Sequence, residues 1–217
     1  MKEHLDVHGL VKPLLRGRLH VAAFVAAVPA AIILVVVARS TSATVAAAVY
    51  GTTLVGLFGV SGAYHRLGRG IRSQKWLRRA DHATIYFLIA GSYTPISIVA
   101  IGGRLGWMLV GAVWAAALLG SLLKMLWFDR AHKVGAALYI AIGWVVVAAI
   151  PKLAASVDAL PLALLLSGGI IYTVGAIVLG SRWPDPLPRI FGYHEVWHMM
   201  TIVAAGLHYA AILRIVS

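Results

Sequence analysis

No cysteine occurs among the 217 residues, and acidic side chains are scarce, with seven Asp and Glu against nineteen Lys and Arg. The first absence excludes disulfides and thiolate metal sites, leaving histidine and carboxylate as the side chains able to hold a transition metal. Charge as a whole is thin. Charged residues make up 12% of the chain and hydrophobic residues 61%, with a mean hydropathy of +0.88. A soluble domain of this length needs more polar surface than that. The net charge of +12 would suggest nucleic acid in a soluble protein. Here the basic residues fall between apolar blocks, so membrane topology accounts for them and no nucleic-acid partner is expected.

What is present is a series of apolar runs, each long enough to cross a bilayer, which takes about 20 residues for roughly 30 Å of hydrocarbon. Seven are read, at about 20–38, 43–65, 81–101, 105–128, 133–151, 160–180 and 192–213. The breaks are short and carry turn-formers or charge: Arg39-Ser40-Thr41-Ser42, Gly102-Gly103-Arg104, Asp129-Arg130, Pro151-Lys152 and Trp183-Pro184-Asp185-Pro186. No period suggests a solenoid. The expected fold is an all-α seven-transmembrane helix bundle over 20–217, preceded by a short segment at 1–19. Thr41-Ser42-Ala43 resembles a signal-peptide cleavage site, but the apolar run before it is too long for a typical signal core.

Basic residues set the expected direction. One side receives Lys2, Lys12, Arg16, Arg18, Arg66, Arg69, Arg72, Lys75, Arg78, Arg79, Lys124, Arg130, Lys133, Arg182 and Arg189. The other receives Arg39, Arg104, Lys152 and Arg214. Fifteen against four predicts a cytoplasmic amino terminus and a carboxyl terminus outside.

Within such spans an ionisable side chain is costly and marks function by default. His65 ends the second run, with Ser61 one turn before it; Asp81 and His82 open the third; His194, Glu195 and His198 open the seventh; His208 lies near its far end. His194 and His198 are about 40° apart on one helix face and roughly 6 Å apart along the axis. Ser61 and His65 share that relation. His208 is about 21 Å along the axis from His194 and cannot join the same ion. With the helices alternating in direction, His65, Asp81, His194 and His198 all arrive at one depth, toward the cytoplasm.

Three imidazoles with an open fourth position describe a catalytic zinc site. Zn²⁺ is therefore the expected cofactor, with His65, His194 and His198 as ligands. Asp81 and Ser61 are the expected catalytic groups. Asp81 would orient or deprotonate the solvent on the ion, and Ser61 would hydrogen-bond that solvent or a substrate carbonyl. Asp81 has two other readings, as a fourth ligand and as a plain helix cap. The order His194-Glu195-x-x-His198 is also the signature of zinc peptidases, in which the glutamate activates water. Glu195 lies about 100° around the helix from His194, so sequence adjacency alone does not aim it at the ion. An interfacial or supporting role is expected for it, and an intramembrane metalloprotease is the lesser alternative.

Ser61-x3-His65, Asp81 and His194-x3-His198, with Asp-His-Ala-Thr-Ile-Tyr at 81–86, Gly-Ser-Tyr-Thr-Pro at 91–95 and Gly-Tyr-His-Glu-Val-Trp-His at 192–198, resemble the hemolysin III family. That family belongs to the progestin and adipoQ receptor superfamily, which includes the adiponectin receptors. The resemblance covers nearly the whole chain. It implies seven helices beginning with an uncleaved span, the amino terminus inside, and zinc on the cytoplasmic side held by His65, His194 and His198 with water near Asp81. It also implies the plasma (inner) membrane of a bacterium, lipid amide (ceramide) hydrolysis as in related receptors, and a part in membrane-fluidity homeostasis.

The leading functional expectation is a zinc-dependent hydrolase of a lipid amide or ester. The alternatives are a sensor of bilayer state in which zinc is structural, and cytolysis as the family name suggests. A transporter would need polar residues through the outer half, where His208, Ser97 and Thr201 are nearly all there is. Membrane lipids are the expected partners. The basic stretch from Arg66 to Arg79 is suited to anionic head groups at about 1 kcal/mol per basic residue.

Overall fold

The computed structural model describes residues 13–68, 70–128 and 132–217. Its helices in chain order are α1 (Arg18–Val37), α2 (Thr41–Leu67), α3 (Ile71–Pro95), α4 (Gly103–Leu126), α5 (His132–Gly143), α6 (Ile150–Ala154), α7 (Ala159–Ser181) and α8 (Tyr193–Val216). A π-helical turn, Ile96–Ile101, continues α3, and a 3-10 segment, Val145–Ala149, joins α5 to α6. Among the described residues, seven stretches are long and apolar enough to cross a membrane, with the fifth crossing built from α5, the 3-10 segment and α6. Among the described residues the only β pairing is an isolated bridge between Leu187 and Phe191. The protein is an all-α seven-helix membrane bundle. Lys2, Lys12, Arg69, Arg130 and most of the expected 1–19 segment lie outside the described residues.

Physics selects this form. Hydrocarbon offers the backbone no hydrogen bonds, so each crossing must satisfy its own. Large apolar residues point outward, among them Val25, Val36, Trp107, Leu119 and Ile177, because their contact there is with lipid rather than water. Neighbouring helices pack as α1 on α2, α2 on α3, α3 on α4, α4 on α5, α5 on α7 and α7 on α8, with α8 returning against α1. Small residues set the separations, as expected where packing rather than water drives association. A Cβ on Gly51 would sit 2.7 Å from the Cβ of Ala31, and one on Gly120 would sit 2.4 Å from the Tyr86 ring. The largest buried cluster joins α1, α2 and α8 through Leu34, Tyr50, Leu54, Phe58 and Ile212. That junction carries the site at one end.

Helix α3 begins at Ile71, well before the apolar run expected from residue 81. Helical hydrogen bonding does not require apolar side chains, only the bilayer does, so a polar first part adds turns that hydropathy cannot register. The Ser73 hydroxyl closes that end by accepting the Gly70 N–H at 3.1 Å. Asp81 is therefore not a cap. It stands inside the helix, and the capping position belongs to Gly70.

Candidate metal centre

Helix α2 delivers His65 in its last turn and α8 delivers His194 and His198 in its first two. One nitrogen from each of the three closes to within 4.8 Å of the others, so the triad can hold a metal ion. The Nε2 atoms of His65 and His194 are 3.3 Å apart. That equals the separation of two nitrogens on a tetrahedral zinc, roughly 3.3 Å for bonds of about 2.0–2.1 Å. Ring centroids are 5.0 Å apart for His65 and His194, 4.9 Å for His65 and His198, and 4.5 Å for His194 and His198. His198 is buried and its Nδ1 meets no hydrogen-bond partner. A buried nitrogen left so costs about 1–3 kcal/mol, and an ion would satisfy a nitrogen of this kind. The donor set, all imidazole, fits zinc among other transition metals.

The expected catalytic pair lies beside the triad. Ser61, one turn before His65 on α2, is buried and faces the Asp81 carboxylate from α3. The Asp81 carboxylate does not belong to the group that closes to within 4.8 Å. It is half-buried, and its Oδ2 is 3.8 Å from Nδ1 of His82, whose ring nitrogen also lies 2.9 Å from the Arg78 carbonyl. Its own carbonyl accepts the Thr84 hydroxyl at 2.7 Å. His208 is apart from all of these, its Nε2 lying 3.1 Å from the Leu165 carbonyl.

Of the two roles expected for Glu195, the structure gives it the supporting one, and its carboxylate is not in the group that closes to within 4.8 Å. It is fully buried; Oε1 takes the Arg16 Nε–H at 2.5 Å, and Oε2 accepts the Gly192 N–H at 3.0 Å. Glutamate at the third position of a helix commonly reaches back in this way, and negative charge is favoured at that end. Asp185 assists by accepting the Tyr193 N–H at 2.8 Å. Together they fix where α8 starts, and hence where His194 and His198 sit.

The entry to α1 presses on the same three elements. Arg16 pairs with Glu195, Gly17 touches His65, and His20 stacks on His198 with ring centroids 3.8 Å apart and planes 9° apart. Backbone bonds hold this entry to the segment before α8, Leu14 N–H to the Arg189 carbonyl at 3.0 Å and Leu15 N–H to the Ile190 carbonyl at 3.2 Å. His20 and Lys124, both buried, were not among the expected site residues. The signal for His20 was available, since it is an ionisable residue inside the first apolar run and falls under the criterion that singled out the others. Lys124, counted by charge as a basic residue of one side, has its ammonium over the Phe128 ring at 5.1 Å.

Gly17 has φ 76, and a Cβ there would lie 2.5 Å from the Cβ of His65. Backbone strain and collision therefore act together, the strain alone costing about 1–2 kcal/mol. Gly17→Ala is expected to cut metal retention to about half or less and to lower the thermal midpoint by several degrees. Gly56→Ala, whose Cβ would meet nothing within 4 Å, is the control. Elemental analysis and a melting curve on both variants check it.

A seven-helix integral membrane protein with a histidine triad at one end of the bundle is the class that fold and site define. The sequence profile of haemolysin-III related proteins matches residues 8–209. The chain is 34% identical over 189 residues to Hemolysin-3 of Bacillus cereus, covering 86% of this chain and 83% of that one. It is 29% identical over 189 residues to the Hemolysin-3 homolog of Bacillus subtilis, covering 86% and 85%. It is 27% identical over 173 residues to the human monocyte to macrophage differentiation factor, covering 76% and 68%. The chain belongs to the hemolysin III family.

Proposed function

We propose that the chain is a zinc-dependent membrane hydrolase that cleaves an amide or ester bond of a lipid, ceramidase-like in chemistry, and serves membrane lipid homeostasis. The observation that carries this reading is the triad of His65, His194 and His198, with Ser61 one turn before His65 and the Asp81 carboxylate facing Ser61 from α3. A zinc ion held there would polarise the scissile carbonyl and make its bound solvent a stronger nucleophile near neutral pH. Asp81 is the general base, taking a proton at its carboxylate, and Ser61 holds that carboxylate in place from α2. His82 lies close enough to Asp81 to steady its other face.

The substrate class is suggested by a cavity deeper in the bundle, on the helices that carry the site. A cavity of about 150 Å³ opens between α3, α5, α7 and α8. Leu57 lies one turn beyond Ser61, and Trp197 and Thr201 flank His198 in sequence. An acyl chain would occupy the apolar part while its polar linkage reaches the triad. Arg72, Lys75 and Arg78, exposed on the polar start of α3, would meet anionic head groups. The same basic end supports a cytoplasmic site, an amino terminus inside, and residence in the plasma (inner) membrane of a bacterium.

Asp81→Asn tests the assignment. The variant is expected to keep its zinc and lose turnover of an N-acyl lipid by about 10²-fold or more. Mass spectrometry of lipid products with metal analysis on the same sample reads both. Unchanged turnover would overturn Asp81 as base. One observation favours a second reading: the triad draws its ligands from only two helices, α2 and α8. An ion there would pin them together, and a sensor of bilayer state with structural zinc would then show no turnover in any variant.

A further inference from the structure

We propose that His20 is a fourth histidine of the metal centre, a positioning residue that holds the ring plane of His198 and offers its free nitrogen to whatever group fills the ion's open position. The inference rests on the reading of His65, His194 and His198 as metal ligands.

His20 lies in the first turn of α1, 3% exposed, and neither ring nitrogen meets a hydrogen-bond partner. A neutral imidazole carries one donor and one acceptor, and a buried polar side chain normally has both engaged. One face lies against His198 and the edge of Phe58 is 5.2 Å away. Within the chain the ring is packed, and the His198 backbone that lies near it makes no well-formed hydrogen bond to either nitrogen. A partner from outside the chain is called for, and the nearest place for one is the centre His198 helps form.

The stack also decides what His20 does not do. An imidazole binds an ion in its own ring plane, along a nitrogen lone pair. With the two rings nearly parallel and their centroids 3.8 Å apart, an ion in the plane of His198 is a full stacking distance out of the plane of His20. His20 accordingly stands outside the group of nitrogens that closes to within 4.8 Å. A group bound to such an ion on the α1 side would be a different matter, since it would lie toward the face of His198 that His20 covers. Water, a carbonyl oxygen or a hydroxamate would serve. Arg16 and Gly17, one turn earlier, touch Glu195 and His65, so the same helix entry that carries His20 is locked to both ligand-bearing helices.

The test uses the full chain purified in detergent and loaded with cobalt(II), with acetohydroxamate as the probe of the open position. Cobalt absorption in the visible reports both coordination and probe binding. His20→Phe keeps a flat ring beside Phe58 and His198 but removes the nitrogens. It is expected to retain one cobalt per chain, as the wild type does, and to bind acetohydroxamate about tenfold more weakly, a change typical of one lost hydrogen bond. His20→Gln, which restores a donor and an acceptor, is expected to recover part of that loss. Equal probe affinity in wild type and His20→Phe would overturn the proposal and leave His20 as packing. Loss of cobalt from both His20 variants would overturn it too, making His20 a ligand. A wild type that takes up no cobalt would defeat the metal-centre reading itself.

Discussion

Alanine at His194 or at His198 is expected to empty the site, with zinc in the detergent-purified protein falling from about one per chain to below about one tenth. No cysteine exists to stand in. The Asp81 carboxylate lies outside the ligand group, so two imidazoles would remain where three hold the ion. His208→Ala is the internal control, because that ring bonds the Leu165 carbonyl away from the triad. Turnover of an N-acyl lipid should fall with the metal by about 10³-fold or more if zinc activates solvent there. The thermal midpoint separates the two functional readings. A catalytic ion leaves it within a few degrees while products vanish, whereas a structural ion that pins α2 to α8 lowers it sharply with no turnover to lose. Retention of stoichiometric zinc by His198→Ala would sink the triad in either form.

Much of this was legible because two independent rules apply to the same residues. Hydropathy placed the apolar runs, and the cost of charge in hydrocarbon picked out His65, His194 and His198 against them. The structure brings those three nitrogens together. Boundaries failed where polarity and helicity part company. The first turns of α3 carry Arg72, Lys75, Arg78 and Arg79, which a bilayer rejects and a helix accepts. Asp81 thus looked like a helix start and is a helix interior. The Arg16–Glu195 pair was not legible at all, because its partners are 179 residues apart in the chain. A count of positive charges treats Arg16 as a solvated topological mark. Only the return of α8 against α1 shows that it neutralises a buried acid. His20 is a different case, legible by the same rule, since it is an ionisable side chain at the start of the first apolar run.

Arg16→Ala is expected to destabilise the protein by about 3–5 kcal/mol, since it leaves the Glu195 carboxylate buried without its counter-ion. Glu195 is wholly buried whereas the Arg16 side chain is 22% exposed, so the two halves of the pair are not equivalent. Glu195→Gln removes the charge that burial penalises and keeps an oxygen for the Gly192 N–H. The arginine it strands can turn to water or a head group. That variant should cost less, roughly 1–3 kcal/mol. The double variant should be more stable than Arg16→Ala alone, a sign of coupling that independent sites do not produce. Unfolding in denaturant, measured for all four proteins, gives the cycle. The same set decides what His194-Glu195-x-x-His198 means in this chain. If Glu195 were the water-activating base of a peptidase, Glu195→Gln would lose turnover while stability and zinc stayed at wild-type levels, and Arg16→Ala would leave the cycle additive. If it is the buried anchor of α8, stability falls first in both single variants. Zinc affinity then follows stability, because His194 and His198 stand on the turn that Glu195 fixes.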